Sequence, residues 1–255
     1  MISTAERNIR MLIAYDGTAY AGWQRQKEQP TVQGALEDKI ALMTREPVTL
    51  YGAGRTDAGV HALGMCANFK TRRGIPCLGF QKGLNSLLAP DIRVLALDET
   101  AERFHARFDA QGKTYFYQVI TSPLILPTQR LYYAHFPRAF DLAAMDLALS
   151  SLLGEHDFAS FEAAGSRDLT VTHGRGAVRT IHHKRIYAIP GGFTVEIGGD
   201  GFLRHMVRNI IGTLIPVGRG EKTVANFKKI LYAKERSAAG STAPAQGLFL
   251  KEVFY

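Results

Sequence analysis

Residues 52–61 read Gly-Ala-Gly-Arg-Thr-Asp-Ala-Gly-Val-His and lie between two apolar segments that have the composition of β-strands. The glycines of this stretch, Gly52, Gly54 and Gly59, allow backbone conformations that a Cβ atom excludes, so a large molecule can approach the chain closely. The carboxylate of Asp57 lies among these glycines. We therefore interpret the stretch as a catalytic loop between strands, with Asp57 as the first functional candidate.

This loop does not match the common phosphate-binding motifs. Asp57 occupies a position where a dinucleotide-binding fingerprint has glycine, and the Gly-Lys-Ser/Thr of a P-loop is missing. The carboxylate would also repel a bound phosphate. A turn-forming aspartate is the plainer alternative, because Asx turns beside glycine are common. Composition alone leaves a catalytic and a structural Asp57 equally open.

The first half of the chain predicts alternating strands and helices around this loop. Alternating apolar side chains predict a strand over residues 9–15 that ends at the turn signal Asp16-Gly17. Thr31 can cap a helix that Pro47 stops. Further strand-like runs are residues 48–52, 65–70, 92–97 and 103–110, and a short helix is predicted around residues 78–88.

The second half predicts a similar number of strands and helices. A strand over residues 113–121 carries bulky side chains on both faces, which indicates that both faces are covered. Asp141 can cap a helix, and Pro190-Gly191-Gly192 is a hairpin signal between two strands. The remaining predicted elements are strands at 178–189, 193–199 and 248–255 and helices at about 202–215 and after Thr223.

This order of elements predicts an α+β protein with two lobes. We place the boundary near Ala110-Gln111-Gly112, so that residues 1–110 form a lobe with the Asp57 loop and residues 111–255 form the other. No repeat is visible in the sequence itself. We expect the site to lie in a cleft between the lobes.

The composition indicates a polyanionic partner in a reducing compartment. Lys and Arg number 31 against 23 Asp and Glu, and the resulting net charge of +8 favours nucleic acid, although solubility alone can also explain such an excess. Cys66 and Cys77 form no CxxC motif, which argues against a zinc site and a disulfide framework. No apolar leader or run of the ~18 residues that a membrane span needs is visible. We expect a soluble cytoplasmic protein.

Residues 54–61, Gly-Arg-Thr-Asp-Ala-Gly-Val-His, resemble the signature of the bacterial tRNA pseudouridine synthase A family, whose motif aspartate is catalytic. This match is contiguous and therefore specific. Other segments resemble the family in the same order along nearly the whole chain: residues 15–18, 22–24, 31–34, 84–85, 104–107, 156–158, 160–161, 202–203, 206–208 and 247–248.

The resemblance implies the pseudouridine synthase fold, in which two ferredoxin-like or RRM-like lobes form a mixed, mainly antiparallel sheet with helices and a central active-site cleft. It implies an isomerase that converts uridine to pseudouridine in the anticodon stem-loop of tRNA, at family positions 38, 39 and 40. It also implies a homodimer that needs neither a cofactor nor a metal.

The chemistry is consistent with a single carboxylate. The reaction breaks the N1–C1′ bond of uridine, turns the uracil and joins it again through C5, with no net redox change. Asp57 can attack C1′ as a nucleophile, or it can remove the C2′ proton. The sequence leaves both routes open. A nearby cation would keep the carboxylate ionised in a dry site.

The resemblance assigns further site residues. Arg208 matches the cation that pairs with the motif aspartate, and Tyr115 matches an active-site tyrosine that can stack on the uracil. Arg55 is placed to fill the space that an extruded nucleotide leaves, and a phosphate contact is the alternative. We take His105 and His61 as structural. The candidates for binding RNA elsewhere are Arg25, Lys27, Arg107 and Arg204.

Two other functions compete with this interpretation. A non-catalytic RNA-binding module would account for the charge and the fold, but it would not require Asp57, Tyr115 and Arg208 together. A hydrolase of glycosidic bonds would need a second carboxylate as acid or base, for which Asp157 is the available proposal.

Overall fold

The computed structural model describes residues 2–166 and 174–255, with side chains from residue 6 onward. Within these ranges the chain forms ten strands: β1 (Ile2–Tyr15), β2 (Tyr51–Gly52), β3 (His61–Arg73), β4 (Ile92–Thr100), β5 (Gly112–Ile120), β6 (Ala134–His135), β7 (Gly154–Asp157), β8 (Val178–Ile189), β9 (Gly192–Gly199) and β10 (Leu248–Phe254). The same ranges contain five α-helices: α1 (Val32–Thr44), α2 (Cys77–Leu87), α3 (Leu142–Ser150), α4 (Met206–Gly218) and α5 (Val224–Ala233). None of these described helices combines the length and the apolar character that crossing a membrane requires.

The chain divides into two compact units. The first unit contains the described residues up to Gln111 together with Phe249–Tyr255, and the second contains those of Gly112–Leu248. The sequence-based assignment of the last strand to the second lobe is therefore wrong. The physical reason is that the start of β3 pairs in parallel with β10, which brings the end of the chain back to the first unit.

The first unit has the connectivity of a ferredoxin-like fold. Its elements follow the order β1-α1-β2-β3-α2-β4, and β1 pairs antiparallel with both β3 and β4 while β2 pairs antiparallel with β3. The resulting spatial order β4-β1-β3-β2 is that of two interleaved split β-α-β units. This arrangement confirms the α+β prediction for the first half of the chain.

Local sequence explains the central elements of this unit. Ile9, Met11 and Ile13 on one face of β1 are fully buried, as the period of two in a strand requires. The hydroxyl of Thr31 accepts a hydrogen bond from the Gly34 N–H at 3.2 Å and so caps α1, as predicted. The helices α1 and α2 pack against each other and cover the core.

The second unit repeats part of the same order. Its elements β5-α3-β8-β9-α4 follow the pattern β-α-β-β-α, and β9 pairs antiparallel with both β5 and β8. The strand β7 extends the sheet beyond β8, and β6 pairs in parallel with β5. The hairpin between β8 and β9 turns at Gly191, whose φ of +73° favours glycine. The sequence shows no trace of this structural repeat.

Side-chain hydrogen bonds cap the N-termini of two helices of the second unit. The carboxylate of Asp141 accepts a hydrogen bond from the Ala144 N–H at 2.9 Å and caps α3, as predicted. Thr223 and Asn226 form a reciprocal capping box at the start of α5. The helix α4 begins four residues later than predicted, because His205 has a left-handed backbone conformation with φ of +61° and interrupts the helix there.

The strand predicted over residues 103–110 is wrong. This segment forms two turns, closed by hydrogen bonds from Phe104 N–H to Ala101 O and from Asp109 N–H to His105 O. The strand predicted over residues 48–52 is shorter than expected and comprises only β2. The short strands β6 and β7 were not predicted, because runs of two and four residues carry too little periodicity to be recognised.

The two free cysteines are expected to differ in reactivity. Cys66 in β3 is buried, and burial raises the pKa of its thiol, whereas Cys77 at the start of α2 is partly exposed. Since the thiolate is the reactive species, an aromatic disulfide reagent at neutral pH should label one thiol rapidly in the native protein and two after denaturation. Cys77→Ser should abolish the rapid phase and Cys66→Ser should retain it; rapid labelling of Cys66 would contradict this structure.

Candidate active site

The loop that carries Asp57 leaves β2 and enters β3, and backbone hydrogen bonds fix it on both sides of this residue. The Ala53 N–H donates to β3, and the Trp23 N–H donates to Thr56 O at 3.1 Å. The Val60 N–H donates to the backbone carbonyl of Asp57 at 3.1 Å, which closes the turn. Main-chain atoms therefore close this turn, and Asp57 occupies its first position.

The segment 17–23 lies backbone to backbone against the Asp57 loop. A Cβ atom on Gly17 would lie 2.0 Å from Val60 O, and one on Gly22 would lie 2.6 Å from Thr56 O. Gly22 also has a φ of +103°, which side chains disfavour. Glycine is thus required at these two positions so that the segment can support the loop.

The sequence suggested that the glycines of the loop let a large molecule approach the backbone, and this does not hold for all of them. A Cβ atom on Gly52 would lie within 2.7 Å of three atoms of the buried Trp23 ring. Gly52 therefore makes room for a core tryptophan, and its interpretation as clearance for a substrate is wrong. Gly59 has a φ of +74° and is needed for the turn after Asp57.

A buried hydroxyl pair holds the residue before Asp57. Thr56 Oγ1 and the hydroxyl of Tyr15 are 2.8 Å apart and hydrogen-bonded. The Tyr15 ring lies 6.0 Å from that of Trp23, and both rings are buried. The end of β1 thus positions the Asp57 loop through the Tyr15 side chain, in addition to the main-chain contacts described above.

His61 and Asp16 have structural roles in this unit. His61 Nδ1 accepts a hydrogen bond from the Gly17 N–H at 3.1 Å and lies 3.1 Å from Asp16 Oδ1. The His61 ring is buried and stacks on Phe249 at 4.5 Å. Asp16 Oδ1 also accepts hydrogen bonds from the main chain and the hydroxyl of Thr18. These contacts fix the start of the supporting segment 17–23.

Arg55 is exposed to solvent, unlike Gly54 and Thr56 on either side of it. Among the described residues, no hydrogen bond or ion pair engages its guanidinium group. The side chain is therefore available to a ligand, either at the position of an extruded nucleotide or on a phosphate.

In the second unit, Tyr115 lies on β5 opposite Ile197 of β9. Its side chain is buried, and its ring meets that of Phe202 edge to face at 5.0 Å. Tyr117 lies on the same face of β5, and its hydroxyl donates to Pro244 O at 2.8 Å. Burial raises the pKa of the Tyr117 hydroxyl, and the positive charge of Arg208 opposes this effect.

Arg208 is clamped in the first turn of α4. Its Nε donates to Ala243 O at 2.8 Å, and its backbone carbonyl accepts from the Ala243 N–H at 3.1 Å. Two bonds between the same two residues restrict both the main chain and the direction of the guanidinium. The predicted site arginine is therefore held rigidly within its own unit.

A buried polar cluster behind Arg208 holds the segment that clamps it. Asn209 is fully buried, and its Oδ1 accepts from Thr242 Oγ1 at 2.7 Å and from Arg236 Nη2 at 3.2 Å. A Cβ atom on Gly212 would lie 1.7 Å from Ser241 O, so this segment also touches the helix backbone directly. Sequence reasoning missed this cluster; the available signal was an asparagine within an apolar helical stripe.

The predicted RNA-binding residues are placed in different environments. Arg25 forms ion pairs with Glu37 and Asp38 at 3.0 and 2.9 Å, which raise the pKa of Arg25 and neutralise much of its charge. Lys27 is exposed and lies 3.7 Å from its neighbour Glu28. Arg204 is exposed. The fourth candidate, Arg107, is also exposed and lies over the ring of Phe108.

Asp157 is engaged in local structure. Its Oδ1 accepts a hydrogen bond from the Ala159 N–H at 3.0 Å, and its Oδ2 lies 3.4 Å from Lys234 Nζ. This carboxylate caps a turn and forms an ion pair, which disfavours its use as the second carboxylate of a hydrolase. Within the described ranges, no three His, Cys, Asp or Glu side chains come together as a possible metal site.

Comparison with known proteins identifies relatives along the whole chain. The model of the tRNA pseudouridine synthase family matches residues 11–109 and 148–255. A protein of Desulfotalea psychrophila named tRNA pseudouridine synthase A 1 is 49% identical over 250 residues, which cover 98% of this chain and 100% of the relative. A Clostridium tetani protein named tRNA pseudouridine synthase A 2 is 44% identical over 251 residues, covering 98% and 99%. A Geotalea daltonii protein named tRNA pseudouridine synthase A is 41% identical over 249 residues, covering 98% and 100%.

The backbone contact between Gly22 and the Asp57 loop predicts that Gly22→Ala destabilises the protein. The new methyl group meets Thr56 O, and φ is unfavourable for alanine, so the free energy of unfolding should fall by about 1–3 kcal/mol. Gly79→Ala is the matched control, because Gly79 lies in α2 with open space around its Cβ position. This control should raise the free energy of unfolding by about 0.5–1 kcal/mol. Urea unfolding measures the free energy of unfolding of both variants. Equal changes in the two variants would contradict the contact between Gly22 and the loop.

Proposed function

Because the chain belongs to the tRNA pseudouridine synthase family, we propose that it isomerises uridine to pseudouridine in tRNA, with Asp57 as the catalytic residue. The observation that carries this proposal is the placement of Asp57 in a loop that main-chain contacts fix on both sides. The substrate uridines are those of the anticodon stem-loop, at tRNA positions 38, 39 and 40.

The chemistry needs an ionised carboxylate and no external reactant. The N1–C1′ bond breaks, the uracil turns, and a C5–C1′ bond forms. The proton on C5 is lost and N1 gains one, so that product and substrate are isomers. Asp57 acts either as the nucleophile at C1′ or as the base at C2′, and both routes begin with the carboxylate in its charged form.

Arg208 and Tyr115 act in the same reaction. Arg208 supplies positive charge that favours the ionised carboxylate and stabilises negative charge in the transition state. Tyr115 stacks on the uracil and offers its hydroxyl to the base. The rigid clamp of Arg208 on Ala243 and the packing of Tyr115 against Phe202 support these roles, because catalytic groups are most effective when they are held in place.

Binding of tRNA uses the positive charge of the chain. A uridine inside a folded arm must leave its stack, which costs a few kcal/mol that contacts with the RNA must recover. Arg55 fills the space of the extruded nucleotide, since its exposed side chain belongs to the loop of Asp57. Lys27, Arg107 and Arg204 contact the RNA backbone, and Arg25 does so less because two carboxylates already engage it.

We also propose how the functional residues are divided along the chain. The first unit, which includes residues 1–110 and Phe249–Tyr255, carries the Asp57 loop, and the second unit supplies Tyr115 and Arg208. The enzyme works as a homodimer in the cytoplasm and needs neither a cofactor nor a metal. These statements are supported by the resemblance to the family.

Release of tritium from C5 of uracil tests the reaction. With an unmodified tRNA transcript that carries tritium at this position, the wild type should release tritium without releasing free uracil. Asp57→Asn should lower the rate by at least about 1,000-fold, because nothing else supplies the carboxylate, and tRNA binding should persist. Asp157→Asn is the matched control and should retain turnover. Free uracil as the product would favour a hydrolase, and normal tritium release by the Asp57 variant would refute the assignment.

Two arginines four residues apart in the sequence should separate catalysis from binding. Arg208→Ala should lower kcat about 100- to 1,000-fold, the typical loss for a group that stabilises transition-state charge, while the Kd for tRNA changes by less than about threefold. Arg204→Ala should weaken tRNA binding and leave turnover at saturating tRNA nearly unchanged. Single-turnover kinetics and filter binding measure the two effects. An Arg208→Ala variant that binds tRNA more weakly but keeps the wild-type kcat would exclude the proposed role of Arg208.

A further inference from the structure

Three aromatic side chains form a continuous exposed surface in the first unit. The rings of Tyr51 and His105 are 5.0 Å apart, and those of His105 and Phe108 are 4.3 Å apart. Phe108 is 76% exposed and Tyr51 is 43% exposed. The guanidinium of Arg107 lies 5.9 Å from the centre of the Phe108 ring. We call these four residues the aromatic platform.

Packing within the protein does not account for this arrangement. A single exposed apolar residue is ordinary, but adjoining rings that remain in contact with water leave aromatic surface that a ligand can cover. Phe108 contacts His105 and Arg107 on the surface while three quarters of its side chain remain in solvent. The platform therefore presents π-faces and a cation to a ligand outside the chain.

The turns beneath the platform are held by buried side chains. Asn8 Nδ2 donates to the carbonyls of Ala101, Glu102 and Phe104, at 2.8 to 3.3 Å. Asn68 Oδ1 accepts from the Ala106 N–H at 2.9 Å, and the Tyr255 hydroxyl donates to Ala106 O at 2.7 Å. Both asparagines are buried and hydrogen-bonded to each other. This network fixes the segment without help from the exposed rings.

A local hydrogen bond orients the central ring of the platform. His105 Nδ1 accepts from the Arg107 N–H at 3.1 Å, so this ring is fixed relative to the following residues. The carboxylate of Asp109 accepts from the backbone N–H of His105 at 2.9 Å and fixes the main chain there. The central ring and the main chain of the platform are therefore ordered before any ligand binds, which lowers the entropic cost of binding.

We propose that the aromatic platform stacks an unpaired base of the RNA substrate, other than the uridine that reacts. This inference rests on the proposed function. Every nucleobase has a π-face, and exposed aromatic rings beside arginine are the usual means of binding unpaired bases. The net charge of +8 favours RNA over an apolar protein segment as the occupant. Tyr51 precedes Asp57 by six residues, which span at most about 20 Å, so the stacked base belongs near the reacting nucleotide.

Binding of two RNAs, one with and one without unpaired bases, to variants of Phe108 tests whether the platform stacks a base. Phe108→Ala should weaken binding of an unmodified tRNA transcript about tenfold, whereas Phe108→Trp should bind like the wild type. Both variants should bind a blunt RNA duplex without unpaired bases as the wild type does. Tyr232→Ala, which removes an exposed ring in the second unit, is the control and should leave tRNA binding unchanged.

A fluorescence measurement reports stacking directly. The chain has one tryptophan, the buried Trp23, so Phe108→Trp adds one exposed indole whose emission tRNA should quench. Tyr232→Trp provides an exposed indole that tRNA should not quench. Absence of quenching together with unchanged affinity of Phe108→Ala would overturn the proposal. If Phe108→Ala differs from the wild type in molar mass on sedimentation but binds RNA equally well, the surface makes a protein contact. This result would also overturn the proposal.

Two different measurements test the stacking of a base on the platform and the isomerisation reaction. Tritium release by the wild type tests the function and does not depend on Phe108. At saturating tRNA, Phe108→Ala should still release tritium, because the platform contributes to binding rather than to the chemical step.

Discussion

The direct contact between the backbone of residues 17–23 and the backbone of the Asp57 loop fixes the geometry of the candidate site. Gly17 and Gly22 allow carbonyl groups of the loop to approach where a side chain would otherwise stand. Because the contact joins two main chains, it fixes the path of residues 56–60 with little freedom for adjustment. Asp57, which this backbone carries, is partly buried.

The second unit holds its charged residue by a similar device. There Gly212 lets the carbonyl of Ser241 approach α4, and the same segment supplies the two hydrogen bonds that clamp Arg208. Asn209 fixes this segment from within the core. In both units a glycine brings two main chains together and a neighbouring residue carries the charge. Preorganisation of this kind is what transition-state stabilisation requires, since groups that move during the reaction lose part of their effect.

Elements with local signals could be predicted from the sequence, and elements that depend on distant contacts could not. Thr31 and Asp141 act as predicted caps because the partner N–H lies three residues away. The segment 103–110 has the composition of a strand but forms turns, because Asn8 and Asn68, distant in sequence, bind its carbonyl and N–H groups. The motif around Asp57 could be recognised because it is contiguous, whereas the role of Gly52 beside Trp23 required the fold.

We propose that the fixed backbone under the Asp57 loop presents the Asp57 carboxylate to uridine. The single-turnover rate of pseudouridine formation in Gly22→Ala tests this role, measured by chromatography of digested tRNA at saturating enzyme and below the melting temperature of the variant. We predict that the variant binds tRNA like the wild type but forms pseudouridine at least about 100 times more slowly, since small displacements of a catalytic group are costly. A folded Gly22→Ala protein with the wild-type rate would contradict the claim.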